Sequence, residues 1–530
     1  MQFREGGIAC LPDFSKNRAE AWQESIFKTL ITILALFGEA EIFTVIFIYR
    51  FICITCYLCF MNGIFEPLSG SNLSPFDIFL LALYACTSLG IGLYASKRKS
   101  DSDFMIAGRK IGIIGFVTSV VASYIGGAAL VAYSAYVYRF GMSAFAVFIG
   151  TAIGFLVFIP YGIKLRKFSG EKQFYTLSDW FYFKFNKPVG LFSAIILLIV
   201  YSGMLLNQFI AGSSLLAHLS GWSYETGLLM SAALIVTYLL AGGFRSVIRT
   251  DIFQYFVLLV IIIMIASVIF QDDKKDFTME LVDFSRMNIG MTIAFTGFGI
   301  FIIFQSAEYW QRVYGARSNR IVRDGFILSA IFTVITGIAI TIVGLAAHSH
   351  LPGIEAKDAF AKGLTLLLPR KLLGASLIMI FAAIMSAADT QIFVLASSVA
   401  VDWYDKLSGK KSNDRRRMLI TRIGIISVSF LSCLGAFFLR DLVAVIIFIT
   451  GIGFTLIPAS VASFHWNISS RAALASFISG IAYVFVLIGI ALFQSNPMEF
   501  FKDKADLAIL SIVVSALTLV IVNFFTKNES

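Results

Sequence analysis

Charge is scarce in this chain. Charged residues make up 14% of 530 positions, against about 25% in ordinary soluble domains. So thin a charged surface excludes a water-facing globule of this length. Histidine is down to 4 residues. None pairs with a Ser or Cys in a triad-like pattern, so a hydrolase finds no support. Cysteine is sparse as well, at 6. Cys53, Cys56 and Cys59 are evenly spaced, but they sit in an apolar run without His or acidic partners. That is ordinary apolar cysteine rather than a zinc set, and no transition metal is expected. No polar stretch is long enough for a soluble catalytic or regulatory domain.

Apolar residues are plentiful instead. Hydrophobic residues are 58% of the chain, and the 53 Phe suit lipid-facing and helix-packing surfaces. Length alone would suggest roughly three or four domains. A polytopic bundle overrides that prior, so residues 76–530 read as one membrane domain. The expected spans are 76–96, 112–138, 142–166, 188–216, 222–242, 247–271, 287–312, 322–347, 372–403, 417–438, 441–463, 471–493 and 506–526. Residues 358–369 read as an amphipathic helix lying at the surface. Residues 1–75 form an N-terminal extension with two open readings. The run 42–61 is long enough for an extra transmembrane helix, although Arg50 lies in its middle. Alternatively the start is assigned too early and Met61 is the true one. No small-residue cleavage site of a signal peptide is present.

The net charge of +10 is not a nucleic-acid signature, because its distribution is that of a membrane protein. When loops are assigned alternately to two sides, one side collects about 26 Lys and Arg and the other about 11, as the positive-inside rule requires. Lys97, Arg98 and Lys99, with loops 164–187, 312–323 and 406–422, are therefore placed in the cytoplasm. The acidic-leaning loops 271–286 and 353–371 then lie outside, and the C-terminus lies inside.

One span carries an acid, in the stretch Ala383-Ile384-Met385-Ser386-Ala387-Ala388-Asp389. An intramembrane carboxylate is costly and marks a functional site by default. Ala383, Ser386 and Asp389 are three apart, along one helix face. A carbonyl, a hydroxyl and a carboxylate are the oxygen donors a hard cation takes. This points to ion-coupled transport. Two spans also hold glycine clusters at mid-depth, Ser123-Tyr124-Ile125-Gly126-Gly127-Ala128 and Thr296-Gly297-Phe298-Gly299. Glycine-interrupted helices in corresponding positions of two halves point to a transporter binding site. Each cluster on its own reads equally as close helix packing through small residues.

Four segments then resemble one family. Asp103-Phe104-Met105-Ile106-Ala107-Gly108-Arg109 resembles the DYFLAGR segment of sodium:solute symporters. Ala241-Gly242-Gly243-Phe244-Arg245-Ser246, followed by Thr250-Asp251-Ile252-Phe253-Gln254, is similar to that family's GG[LF]xAVxxTDxxQ. Gln311-Arg312-Val313-Tyr314-Gly315-Ala316-Arg317-Ser318 is similar to its QRxxAAKS. Met385-Ser386-Ala387-Ala388-Asp389-Thr390-Gln391, with Val401-Asp402-Trp403-Tyr404, resembles MSTADSQLL…DLY. Order and spacing hold over about residues 75–465. The resemblance implies an all-α polytopic fold of the leucine-transporter type. It would have two inverted five-helix repeats at about 112–271 and 287–463, flanking helices, and about 13–14 transmembrane helices in all.

The resemblance also implies sodium coupling. The main sodium site would take carbonyls of Ala122, Ile125 and Ala383 and the hydroxyl of Ser386. Its fifth position, usually a hydroxyl, is Ala387 here, so water or Asp389 must replace that oxygen or sodium binds weakly. A second cation or proton site would involve Asp251 and Asp389. Asp251 could also serve a helix end or pair with Arg249. Asp402 and Asp405 are expected to be solvated. The substrate-binding candidates are Ser123, Tyr124, Gly126, Gly127, Phe304, Gln305, Ser306 and Glu308, with Tyr201, Asn207, Gln208, Thr450 and Thr455 from facing spans. Glu308 could instead pair with Arg312 at i,i+4. No intramembrane Arg stands out to grip a carboxylate. Ala129 occupies the position where sugar-binding relatives place a Gln, which argues against a sugar. An amino acid, a carboxylate or a quaternary amine fits better.

The function expected is a cation-coupled symporter, with Na+ the coupling ion and H+ the rival. It would import a small organic solute through the cytoplasmic membrane of a bacterium by alternating access. A non-transporting sensor related to symporters is the reading from another class. An enzyme is not expected, nor is nucleic acid as a partner. The lipid bilayer is the expected surroundings, and the oligomeric state is left open.

Overall fold

The computed structural model describes residues 73–95, 101–271, 286–368, 373–408, 413–439, 443–494, 500 and 505–526. The readings made for residues 1–72, for most of loop 271–286 and for the last residues 527–530 lie outside the described residues.

Sequence signals at the helix ends explain where the long apolar runs start and stop. The first orphan amides of a helix need acceptors. Asn186 accepts from the Val189 amide at 3.1 Å, and Pro188 follows at the helix start, where its missing N–H costs nothing. Asn288 accepts from the Met291 amide at 2.8 Å, and Asn413 from the Arg416 amide at 2.9 Å. Ser223, Ser318 and Ser469 cap in the same way. Gly221, at φ 75°, ends its helix in the left-handed conformation that glycine adopts without strain.

The helices are α1 Pro75–Ala95, α2 Asp101–Ile106, α3 Ile113–Tyr124, α4 Gly127–Phe140, α5 Ala146–Lys172, α6 Ser178–Lys184, α7 Lys187–Ser220, α8 Tyr224–Gly242 and α9 Phe244–Gln271. They continue as α10 Ile289–Gln305, α11 Ala307–Gly315, α12 Asn319–His350, α13 Ala359–Leu367 and α14 Leu373–Ser398. The chain closes with α15 Asp414–Phe438, α16 Val443–Phe454, α17 Leu456–His465, α18 Ser470–Leu492 and α19 Ser511–Thr526.

Ten helices among the described residues are long and apolar enough to cross a membrane, or eleven when α10 and α11 count as one bent span. The larger count expected from sequence includes helices interrupted partway. α3 and the Ile449–His465 segment are each too short alone. Within the run 358–369, Ala359–Leu367 forms the expected short helix, α13, and it packs on α12 and α4.

α14 lies at the centre of the bundle, where Gly374 to Ser398 are all buried. The periphery is apolar and open: Leu517, Val520, Phe524 and Phe525 on α19 are each more than half exposed. In water such a face would be an association liability. Facing lipid it needs no cover.

Two helices are broken. α3 and α4 are separated by Ile125 (φ −100°, ψ 71°) and Gly126 (φ −85°, ψ 173°), as the first glycine cluster foretold. Gly126 has to be glycine, because a Cβ there would run into the Gln208 side chain and the Ala387 methyl. The second break corrects the sequence reading. Helix α10 runs straight through Gly297 and Gly299 and stops at Ser306, where α11 departs at 49°. Gly299 instead faces the α5 backbone around Gly150, and a Cβ on Gly154 would stand 2.8 Å from the Ile300 carbonyl oxygen. These glycines serve close helix packing.

Candidate functional site

The first break leaves α3 with carbonyls that its own helix cannot use. Packing brings α14 against them. The Ser386 hydroxyl donates to the Ala122 carbonyl at 3.0 Å and sits 3.2 Å from the Ala383 carbonyl. Ser386, Ala122 and Ala383 are fully buried, and Ile125 lies beside them at the break. Three oxygens thus meet in one dry spot, a donor set that suits a hard cation. Ala387 brings a methyl rather than an oxygen, and that methyl abuts Gly126.

Asp389 does not share this spot. Its Oδ2 accepts from the Tyr238 hydroxyl of α8 at 2.7 Å, with Thr250 of α9 at 3.5 Å. Its Oδ1 has no hydrogen-bond partner among the described residues. Three residues along a helix leave the carboxylate about 60° round the axis and about 4.5 Å further along it, enough to give it different neighbours.

Asp251 has a partner that was not foreseen. Arg312 lies 3.2 Å away, and both side chains are 0% exposed. The pairing considered with Arg249 is not made, and Arg249 instead stands over the Tyr94 ring at 5.2 Å. Arg312 is held on several sides. Its Nε donates to Ser119 at 2.7 Å, one terminal nitrogen to the Glu308 carbonyl at 3.0 Å, and the other to Thr390 at 3.1 Å and to Ser123. Ser119 in turn donates to Asp251. An intramembrane arginine is therefore present after all. Sequence had placed it at the end of a span, in the basic loop 312–323. The bend at Ser306 carries the following helix inward and buries it.

Above this layer lies a cavity of about 210 Å³. That is below the roughly 300–1,000 Å³ of drug-sized pockets, so it suits a small solute. Of the substrate candidates, Ser123, Tyr124, Ser306 and Glu308 line it, as do Asn207, Gln208 and Thr450 from facing helices. Gly126 and Gly127 shape the break without lining the space. Phe304 and Gln305 point elsewhere, Phe304 against Phe158 and Tyr161, Gln305 against Gly453. The i,i+4 ion pair of Glu308 with Arg312 is also absent among the described residues, and the Glu308 carboxylate accepts from Tyr201 instead. Sequence reasoning missed Tyr133, Tyr309 and Gln391 in the lining. Tyr133 reaches the Tyr124 hydroxyl at 2.8 Å, and Tyr124 reaches Thr151 at 2.8 Å.

At the basic-loop end the bundle is closed. Lys406 bridges Asp179 and Asp402, and Asp402 also accepts from Thr176 and Ser398. Asp402 is 0% exposed, and Asp405 pairs with Arg417 at 3.0 Å. Both had been expected in solvent. A π-helical turn over Val399–Asp405 rotates them into the protein. Burial alone would lower the Lys406 pKa, but the two carboxylates outweigh it and hold it above the ordinary lysine value.

These features define an integral, multi-pass transporter rather than an enzyme, with a leucine-transporter-type fold of broken helices around a central cavity. The chain belongs to the sodium:solute symporter family, whose model matches residues 104–480. It is 26% identical over 480 residues to the osmoregulated proline transporter OpuE of Bacillus subtilis, covering 83% of this chain and 94% of that one. It is 25% identical over 441 residues to sodium/proline symporter 2 of Staphylococcus saprophyticus, covering 77% and 85%. In structure it is similar to a Na+-coupled sialic acid symporter in a substrate-bound outward-open state. That match has TM-score 0.68 at 19% identity and covers 86% of this chain and 98% of the other. Mhp1, a nucleobase-cation-symport-1 family transporter, matches at TM-score 0.51 and 11% identity, over 82% and 96%.

Proposed function

We propose that the chain is a cation-coupled symporter that carries a small organic solute into the cytoplasm by alternating access, with sodium as the coupling ion. The observation that carries this reading is the Ser386 hydroxyl set between the Ala122 and Ala383 carbonyls at a helix break. A cation held there would join α3 to α14, and the Ile125 carbonyl at the break would be its fourth oxygen. The solute would sit in the adjoining cavity, which lies in the half of the bundle away from the basic loops. With those loops cytoplasmic, the cavity would open to the outside and the Lys406 network would close the inner exit. Rocking of one helix bundle against the other would then expose the inner side. The relatives are named as a proline transporter and a sodium/proline symporter, which agrees with a small solute. Coupling is reciprocal: the ion must raise solute affinity by the factor by which solute raises ion affinity.

A second reading follows from Asp389 Oδ1, which is buried without a hydrogen-bond partner. With no oxygen at Ala387, Asp389 could carry a proton in place of the ion. Asp251 suits that role less, because Arg312 already balances it.

Thermal unfolding of the purified protein in sodium or potassium, at two pH values, separates the readings. Saturable stabilisation by sodium alone supports the main one. Ser386→Ala should then raise the half-saturating sodium concentration about tenfold, roughly 1.4 kcal/mol. Asp389→Asn should weaken sodium dependence less. Unchanged half-saturation in both variants removes the site. A pH-dependent shift indifferent to sodium moves the assignment to Asp389.

A further inference from the structure

Among the described residues Glu308 is the one carboxylate lining the cavity, and no described Lys, Arg or His lines it. The side chain is 4% exposed and accepts from the buried Tyr201 hydroxyl. Among the described residues no ion pair neutralises it. The nearby Arg312 is committed to Asp251, Ser119 and Thr390, and meets Glu308 only at its backbone carbonyl. A first-turn acid favours the start of α11, but that accounts for neither the depth of the group nor its company. Much of the remaining lining is aromatic: Tyr124, Tyr133, Tyr309, Phe295 and Phe298 line the same space.

The features that would hold an anion are already taken. The start of a broken half-helix is a ready anion site. Here the Ala128 amide at the start of α4 donates to Gln208 Oε1 at 3.0 Å. An anionic solute would therefore meet an occupied amide on one side and the Glu308 carboxylate on the other.

We infer that the transported solute is an organic cation, a small amine or quaternary ammonium, whose charged head is bound between Glu308 and the tyrosine-rich wall. This rests on the symporter reading and adds the charge of its cargo. The carboxylate supplies the counter-charge, and aromatic faces within about 6 Å of a cation attract it further. A buried carboxylate is costly unless it is paired. The arriving cation is the missing partner, so charge is balanced only when the site is loaded.

The test is binding to the purified full-length protein in sodium buffer, read by ligand-induced thermal stabilisation. The probes are choline and putrescine as cations, 3,3-dimethyl-1-butanol as the neutral analogue of choline, and proline and glycine betaine as zwitterions. At least one cation should stabilise saturably, the neutral analogue should not, and the zwitterions should be weaker. Glu308→Gln keeps an acceptor for Tyr201 and should weaken the cation about thirtyfold or more. Glu308→Asp should retain the preference for charge, and a helical circular-dichroism spectrum and a single size-exclusion peak like those of the wild type show that either variant is folded. The inference is overturned if no cation stabilises the wild type, if proline or the neutral analogue binds as well as the cations, or if Glu308→Gln binds them unchanged. Cation binding that depends on Glu308, combined with liposome uptake indifferent to a sodium gradient, would leave this inference standing and sink the sodium reading instead.

Discussion

The pair formed by Arg312 and Asp251 should be a hinge point of stability, and the size of the effect can be worked from its geometry. The groups stand 3.2 Å apart with both side chains 0% exposed. At an effective dielectric of about 20, unit charges at that separation attract by about 5 kcal/mol. Most of that attraction is offset by the cost of taking both ions out of water, so the pair adds little net stability. Removing one partner is different, because it leaves the other charge buried and uncompensated, at about 3–5 kcal/mol. Arg312→Met would leave Asp251 with Ser119 as its hydrogen-bond partner and should destabilise by that amount. Asp251→Asn should cost a similar sum, because Arg312 keeps its hydroxyl contacts but loses its counter-charge. The double variant should recover about 2 kcal/mol or more of the summed cost, since neither charge is then stranded. The assay is a double-mutant cycle on detergent-solubilised protein unfolded by denaturant. Additive single and double variants, or a cost below about 1 kcal/mol for Arg312→Met, would refute the reasoning and show that water reaches the pair.

Further outcomes follow from other contacts. Gly154→Ala should destabilise by about 1–3 kcal/mol, because its new methyl would meet the Ile300 backbone at 2.8 Å; a melting temperature equal to wild type would show that α5 and α10 can separate. Lys406→Met should strand Asp179 and Asp402 at a cost of about 1.5–3 kcal/mol. It should also raise maleimide labelling of a cysteine placed at Ser398, because the inner closure is loosened. The Lys406 pKa is raised in the folded protein, so its contribution is fully present below the ordinary lysine range. It is lost only as pH climbs through the raised value, so the ratio of Lys406→Met to wild-type labelling, taken at each pH so that ionisation of the thiol cancels, should be flat between about pH 7 and 9.

Much of the fold was legible because apolar length and capping residues are local signals. The runs that begin after Asn186, Asn288 and Asn413 start where those side chains cap. Gly126 marked a true break, where the Gln208 and Ala387 side chains leave no room for a Cβ. Gly299 misled for a physical reason: a helical glycine serves close packing as readily as it serves unwinding, and composition does not tell the two apart. The meeting of Ser386 with Ala122 came from family resemblance, since 264 residues separate them. The partner of Asp251 was out of reach. Arg249 is two residues away and Arg312 is 61, and only the inward turn of α11 decides between them. Asp402 looked solvated because its neighbours in sequence are basic, whereas a single π-turn sets its direction.

Ile111, just before the first broken helix, pairs with Ala316, just after the second. The Ile111 amide donates to Gly315 at 3.0 Å and the Arg317 amide donates to Ile111 at 3.1 Å, a short parallel bridge. Arg109 and Arg166 reinforce it from the side, reaching the Tyr314 and Ala316 carbonyls. The two interrupted helices are thus lashed together at one end, while each is jointed partway along, at Gly126 and at Ser306. Such an assembly works like a pair of shears with one rivet. The riveted ends must travel as a unit, and freedom of movement belongs to the blades beyond the joints, where the cavity lies.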